Sequence, residues 1–315
     1  MSSTKEAPAR PTAIKAVPVR HPGRWVAVAV IAVLGAMLVN TVVTNPGFNW
    51  SEQRQYAFSD TIRSGVVTTI WLTVASMAIG VVLGLVLAIM RLSANPIVRS
   101  AAWLYVWVFR GTPLLVQLLI WANLGALFPR IGLGIPFGPT YVEDATFNVI
   151  GVLAASLLGL GLNEAAYMSE IVRAGLLSVD EGQWEASSAL GMSRTQTLRR
   201  VVLPQAMRVI VPPTGNETIA MLKTTSLVAF VPYYELLFRT QEIYTRTYQI
   251  IPMLIMASLW YLAMTSVLMV GQYFIEAHYA RGTARGQSSR VTLQRLLPGR
   301  GRDGEGGGAG GGGLA

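Results

Sequence analysis

Six long apolar runs divide the chain and leave it few places to fold. A bilayer core about 30 Å thick is crossed by a helix of about 20 apolar residues. Runs at approximately 25–43, 66–90, 101–127, 147–177, 207–231 and 251–274 therefore predict an all-α integral membrane protein. Composition agrees: 13% of the residues are charged, against about 25% in soluble domains. The formal charge of +9 raises the question of an anionic partner, and its placement answers it. Residues 1–24 hold five basic and one acidic side chain, residues 281–315 hold six and two, and the middle holds fourteen and thirteen. A nucleic-acid binder gathers its basic residues on a folded face with readout elements. None is organised here, so nucleic acid is set aside. Cysteine is absent, which excludes disulfide frameworks, thiolate metal sites and thiol nucleophiles.

The first run follows a basic leader, residues 1–24, as a secretory signal would. At 19 residues it exceeds the usual apolar core of about 7–15, and no small-x-small cleavage site closes it before Asn45-Pro46. It reads as a retained transmembrane helix. Six spans put both termini on one side, and the excess of Lys and Arg in inner loops decides which. With the termini in the cytoplasm, 18 basic residues lie inside and five outside, while Arg110 and Lys223 fall within apolar stretches. The expectation is a multi-pass protein of the cell (inner) membrane with cytoplasmic termini. Residues 277–315, Arg-rich and then Gly-rich, cannot bury enough apolar surface to fold and read as a disordered cytoplasmic tail. Contact of Arg281, Arg285 and Arg290 with anionic headgroups is the alternative for that tail.

The loop at 179–205, between spans four and five, is the one long inner connection. Asp180 followed by Gln183, and Ser193 followed by Gln196, have the spacing of helix-start capping boxes. Gly191 stands where the first helix should end in a left-handed residue, and Pro204 is expected to stop the second. The first helix is poor in side-chain bulk at Ala186, Ser187 and Ala189, which admits another protein close to its backbone. In the second, Leu198, Val201 and Val202 form an i, i+3, i+4 apolar stripe, while Arg194, Arg199 and Arg200 suit a polar or lipid-headgroup environment. Docking to a partner and lying on the inner leaflet both satisfy this pattern.

Glu185-Ala186-Ser187, three residues to Gly191, nine to Val201 and then Leu203-Pro204 resembles the E-A-A-x3-G-x9-I-x-L-P loop of membrane permease subunits of ABC importers. Ser187 replaces an alanine and Val201 an isoleucine; both are conservative. Four further segments narrow the resemblance to the polar amino-acid permeases of the histidine/glutamine/arginine type: Phe109 to Gln117, Asn163 to Arg173, Leu203 to Ala206, and Leu222 to Leu227. The resemblance covers roughly residues 65–276, a type I importer fold of five helices, leaving 25–43 as an added N-terminal helix. It implies a coupling helix seated on a cytoplasmic ABC ATPase dimer, which binds the ATP and Mg. It also implies a second permease subunit, either a second copy or a paralogue, and an extracytoplasmic amino-acid-binding protein. The substrate it implies is a polar or charged amino acid, such as glutamate, glutamine or a basic one.

Ionisable residues inside hydrocarbon are costly, so each is a candidate for lining a cavity or meeting a partner. Arg110 with Thr112 sits at a Gly111-Thr112-Pro113 interruption of span three, where an unwound backbone beside a guanidinium suits a carboxylate. Snorkelling of Arg110 toward the inner headgroups, within two turns of the span's start, is the alternative. Asn163, Tyr167 and Glu170 share one face of span four, and Glu164 or Glu170 suits a substrate ammonium; an interhelical network including Glu170–Arg173 is the alternative. In span five Asn216 lies with Lys223 and Glu217 with Thr224, either lining a lumen or pairing internally as Lys223–Glu217 or Lys223–Glu170. Pro212-Pro213 and Gly215 are expected to kink that span. There is no GxxxxGK[ST] loop, and His21 and His278 stand apart from any nucleophile arrangement, so no enzyme, bound cofactor or metal is expected on this chain. A cation-coupled secondary transporter using Glu164, Glu170 or Glu217 is the other functional class. It calls for an inverted repeat, which the sequence lacks.

Overall fold

The computed structural model describes residues 22–135 and 138–279; the leader up to residue 21 and the tail from 280 lie outside them. The chain divides into two units, residues 1–52 and 53–315. In the first, α1 (Pro22–Thr44) is a 23-residue helix whose described side chains are nearly all exposed, with an 18-residue stretch of mean hydropathy 2.6. Such a helix is stable only with its apolar surface in lipid or against protein. Asn45 caps the short turn after it, and the Trp50 indole N–H donates to the Val42 carbonyl at 3.0 Å. α2 (Trp50–Ala57) leads on.

The second unit is a helical bundle. α3 (Asp60–Arg91) and α8 (Val152–Leu177) are its central pair. They meet where Gly80 and Gly84, spaced as G-x-x-x-G, face α8. A Cβ on Gly80 would lie 2.4 Å from Glu164 Cγ, and one on Gly84 2.5 Å from Met168 Cβ. In lipid there is little hydrophobic drive between helices, and small residues let backbones approach until dispersion and polar contacts hold them. α11 (Leu203–Thr224) and α13 (Ile250–Tyr279) pack together beside this pair, and α12 (Leu236–Thr247) lies against α3 and α13. Leu72, Leu118, Leu160, Met168 and Val202 make the main core; Ile62, Leu236 and Met253 anchor a second.

The span expected at 101–127 is not one helix. α4 (Pro96–Gly111) and α5 (Leu114–Ala122) meet at 101° across Thr112-Pro113, followed by the single turn α6 (Leu124–Leu127). Pro113 has no N–H to give the helix, and the residue before a proline is pushed to extended backbone, as Thr112 is at φ −115°, ψ 144°. An antiparallel pair, β1 (Arg130–Gly134) with β2 (Thr140–Ala145), and the turn α7 (Thr146–Val149) complete the exposed connection, so α8 starts five residues later than expected. α11 also departs from expectation. Among the described residues four helices, α1, α3, α8 and α13, have the length and mean hydropathy to span a membrane, with the bent α4–α5 pair as a fifth. α11 is long enough but too polar, with Arg208, Thr214, Asn216, Glu217 and Thr218 in its turns. It is tolerated as part of a bundle. The helix runs unbroken through Pro212 and Pro213, so no break marks the expected kink. The Gln272 amide donates to the Pro212 carbonyl at 3.3 Å.

Candidate functional site

The loop between α8 and α11 is built by local capping. Asp180 Oδ1 accepts from the Gly182 N–H at 2.8 Å and starts α9 (Glu181–Ala189). The expected reciprocal bond from Gln183 does not form; its Oε1 instead accepts from Gln205 Nε2 at 3.2 Å, tying α9 to α11. α9 ends on Gly191 at φ +73°, with Met192 N–H donating to Ser187 O and Gly191 N–H to Ser188 O. These are the two bonds of a Schellman ending, and the left-handed residue between them favours glycine. Ser193 and Gln196 then form the complete capping box that opens α10 (Arg194–Thr197).

Pro204 does not stop the helix. A π-helical turn, Leu198–Val202, joins α10 to α11, with Leu203 N–H donating to the Leu198 carbonyl five residues back. The wider turn makes room for the pyrrolidine ring, and Gln205 Nε2 donates to the Val201 carbonyl at 3.0 Å. The inserted residue also rephases the apolar stripe. Thr197 and Val202 are buried, while Leu198 is 40% exposed. Trp184 packs on the main core and Ser187 is buried, its hydroxyl donating to Gln183 O. The opposite face is open: Glu185, Ala186, Gly191, Leu203 and Pro204 are exposed, Val201 half-buried, and Leu190 is 80% exposed. α9 thus offers a low-relief surface on a fixed support.

Inside the bundle the predicted polar residues fall into two groups. At the α4–α5 break, Gln117 Nε2 reaches the Phe109 and Thr112 carbonyls and Thr112 Oγ1 at 2.7–3.1 Å. Asn163 Nδ2 donates to the same Phe109 carbonyl at 2.8 Å and to Gln117 Oε1 at 3.2 Å. Asn163 and Gln117 therefore satisfy backbone exposed by the bend, and the Thr112 hydroxyl donates to the Val108 carbonyl at 2.8 Å. Beside them the Arg110 guanidinium lies 5.1 Å above the Tyr167 ring, within electrostatic reach of Glu170 and Glu217. Arg110 closes α4 fourteen residues after Pro96, roughly 21 Å along the axis at 1.5 Å per residue. The expected two turns between the span's start and Arg110 become about four. Glu170 is the centre of a bridge, Oε1 to Arg91 and Oε2 to Arg173, each at 2.8 Å. The expected Glu170–Arg173 pair is present and joined by α3. Glu164 is 4% exposed against Gly80, with Oε1 lacking a hydrogen-bond partner among the described residues, and Glu217 lies within electrostatic reach.

The second group faces α13. Asn216 and Lys223 line one cavity of about 410 Å³ with Gln272, Tyr273 and Glu276. Asn216 Oδ1 accepts from Gln272 Nε2 at 3.0 Å. Neither expected Lys223 pair forms among the described residues.

Three contributors were missed from sequence. Gln117 and the Gly80/Gly84 pair had readable signals: an amide next to a proline break, and G-x-x-x-G in an apolar run. Glu235 had none. It is fully buried, caps α12 through the Phe238 N–H at 2.6 Å and accepts from the Tyr261 hydroxyl at 2.6 Å.

The profile of the family described as binding-protein-dependent transport system inner membrane component matches residues 80–281. An arginine transport system permease protein, ArgU of Corynebacterium glutamicum, is 50% identical over 90% of this chain and 88% of its own length. An L-cystine transport system permease protein, TcyB of Bacillus subtilis, is 37% identical over 73% and 92%. Among solved structures, an amino acid ABC transporter with histidines is 33% identical, with TM-score 0.59 over 69% of this chain and 94% of its own. An inward-facing MetNI methionine ABC transporter, at 19% identity and TM-score 0.55, shares the fold.

Proposed function

Because the chain belongs to the family of binding-protein-dependent transport system inner membrane components, as an amino-acid ABC permease that is itself no enzyme, we propose that it forms the pathway of an importer for arginine or a related basic amino acid. The observation that carries the substrate class is the 50% identity to an arginine permease over nine-tenths of the chain. Chemistry inside the bundle supports it. Glu164, with an unpartnered buried oxygen, and Glu217 on the facing helix make an acidic pair suited to a guanidinium or ammonium. Arg110 over Tyr167 is the cation at the same site and suits the α-carboxylate. Asn216 and Lys223, against α13, form a second polar wall of the pathway.

Cytoplasmic termini put α9 and the Gly191 turn inside the cell. There we propose that Glu185, Ala186, Ser187, Gly191, Val201, Leu203 and Pro204 form the seat for a separate ABC ATPase, which supplies ATP and Mg. Glu185 and Leu190 contact it, while Trp184 and the Gln183–Gln205 bond pass its motion to α11. A second permease subunit completes the pathway and an extracytoplasmic binding protein delivers substrate. The domain reading follows: leader 1–24, added helix 25–43, permease domain 65–276 with coupling loop 179–205, and tail 277–315. The test is ATP-dependent uptake of labelled arginine into proteoliposomes holding this chain, its ATPase and its binding protein. Uptake that needs ATP and is competed by lysine or ornithine supports the reading. Uptake driven by an ion gradient without ATP overturns it.

A further inference from the structure

The Glu170 bridge does more than neutralise a half-buried carboxylate. Both of its oxygens are engaged, one by Arg91 and one by Arg173, yet three arginines surround the spot. Arg91, Arg99 and Arg173 line a cavity of about 260 Å³ with Leu92, Ser100 and Trp103, where the end of α3 meets the first turns of α4 and the inner turns of α8. Arg99 has no ion pair or side-chain hydrogen bond among the described residues. A guanidinium has five donors, and three of them against one carboxylate leave the cavity with a net charge of +2 and unused N–H groups. Ser100 adds a hydroxyl donor. Arg91 is held by its ion pair, with only 16% of its side chain exposed, so much of the site is ordered before any ligand arrives.

We propose that this cavity binds the phosphate of an anionic glycerophospholipid. Free phosphate shares the recognised chemistry, and the outer wall of the site decides between them. Trp103 and Trp107 stack at 6.2 Å with their rings 10° from parallel, and both are more than half exposed. With exposed Leu104 and Val108 they extend an apolar, aromatic strip from the cavity along the outside of α4. Basic pockets between helix ends accept lipid phosphates, and indole rings settle at the headgroup level. An inorganic anion gains nothing from that strip, whereas acyl chains lie along it. The inference needs the chain in a bilayer but holds for either orientation of its termini, and so stands apart from the transport reading.

The test is native mass spectrometry of the detergent-purified full chain with dioleoyl phosphatidylglycerol or dioleoyl phosphatidylcholine at matched concentration. Phosphatidylglycerol is expected to be retained about fivefold more, the ratio given by roughly 1 kcal/mol per surface arginine. Arg99→Gln, at an exposed and unpaired position, should abolish most of that preference. Trp103→Leu should lower retention of both lipids, and Arg130→Gln, on β1, should change nothing. Equal retention of the two lipids, or a preference untouched by Arg99→Gln, overturns the proposal. So does displacement of phosphatidylglycerol by equimolar inorganic phosphate, which makes the site one for a free anion. Loss of binding to the ATPase subunit in Arg99→Gln, with lipid retention unchanged, reassigns the cluster to a protein contact and also overturns it.

Discussion

The segment at 180–204 and the polar cluster between α3, α4, α8 and α11 are built by opposite means. The first is held mainly by bonds between residues two to five apart: Asp180 to Gly182, Met192 to Ser187, Ser193 to Gln196 and Leu203 to Leu198, with Gln183 to Gln205 the one longer tie described. Its exposed side chains, Glu185 and Leu190 among them, have little to do inside the molecule. The second is held by bonds that span the fold, such as Asn163 to Phe109 and Arg91 to Glu170. Its polar side chains are mostly committed. A surface made for another protein keeps its functional groups free on a locally fixed backbone, whereas a polar interior must satisfy itself first and leaves few groups for a ligand.

The sharpest way to break that contrast is Glu185→Lys. The side chain is exposed and without a partner among the described residues. Uptake should therefore fall by more than about tenfold, equivalent to 1.4 kcal/mol of coupling, while the melting temperature of the purified chain stays put. Unchanged uptake would remove α9 from the ATPase seat. A lowered melting temperature would move Glu185 into the self-satisfied class.

Gly80→Ala attacks the interior. The new methyl meets Glu164 Cγ at 2.4 Å, and overpacking of a close helix contact costs about 1–3 kcal/mol. Thermal unfolding in detergent should drop accordingly, with Glu164→Gln leaving stability intact but reducing arginine uptake. If Glu164→Gln transports normally, the free oxygen is not a ligand group.

Asn163→Ala should cost about 1–2 kcal/mol, because it strips one of the donors from the Phe109 carbonyl and leaves Gln117 Oε1 without its partner. The measurement is again unfolding, alongside uptake. Intact stability with lost uptake would return Asn163 to the pathway wall.

These differences track what was legible in the sequence. The Ser193–Gln196 capping box and the Gly191 ending were readable to the hydrogen bond because their partners are neighbours in the chain. The break at Thr112-Pro113 was also readable, since a proline states its own geometry. The bend of 101° was not, nor was the use of Asn163 to cap it; that partner lies 54 residues away. Pro204 misled because a proline's usual effect assumes a regular α-helix before it, and the π-turn at Leu198–Val202 removes the clash. α11 read as an apolar span because the stretches on either side of its polar middle are apolar. Its polar middle belongs to the bundle, and only packing reveals that. Glu235 lay outside every pattern: its burial depends on Tyr261 and the cap of α12, which a single chain segment does not show.

The mildest perturbation separates backbone from side chain within the segment at 180–204. Nothing lies within 4 Å of where a Cβ on Gly191 would stand, so Gly191→Ala costs only the left-handed backbone, about 1 kcal/mol. Asn tolerates that conformation better than other L-residues, so Gly191→Asn should lose less. If the ATPase reads the shape of this turn, uptake should follow the same order, glycine above asparagine above alanine, with small changes in unfolding. If alanine and asparagine are equally impaired, contact with the added side chain, and not the φ of +73°, is what the partner senses. The two outcomes assign Gly191 either to the conformation of the docking surface or to the clearance above it.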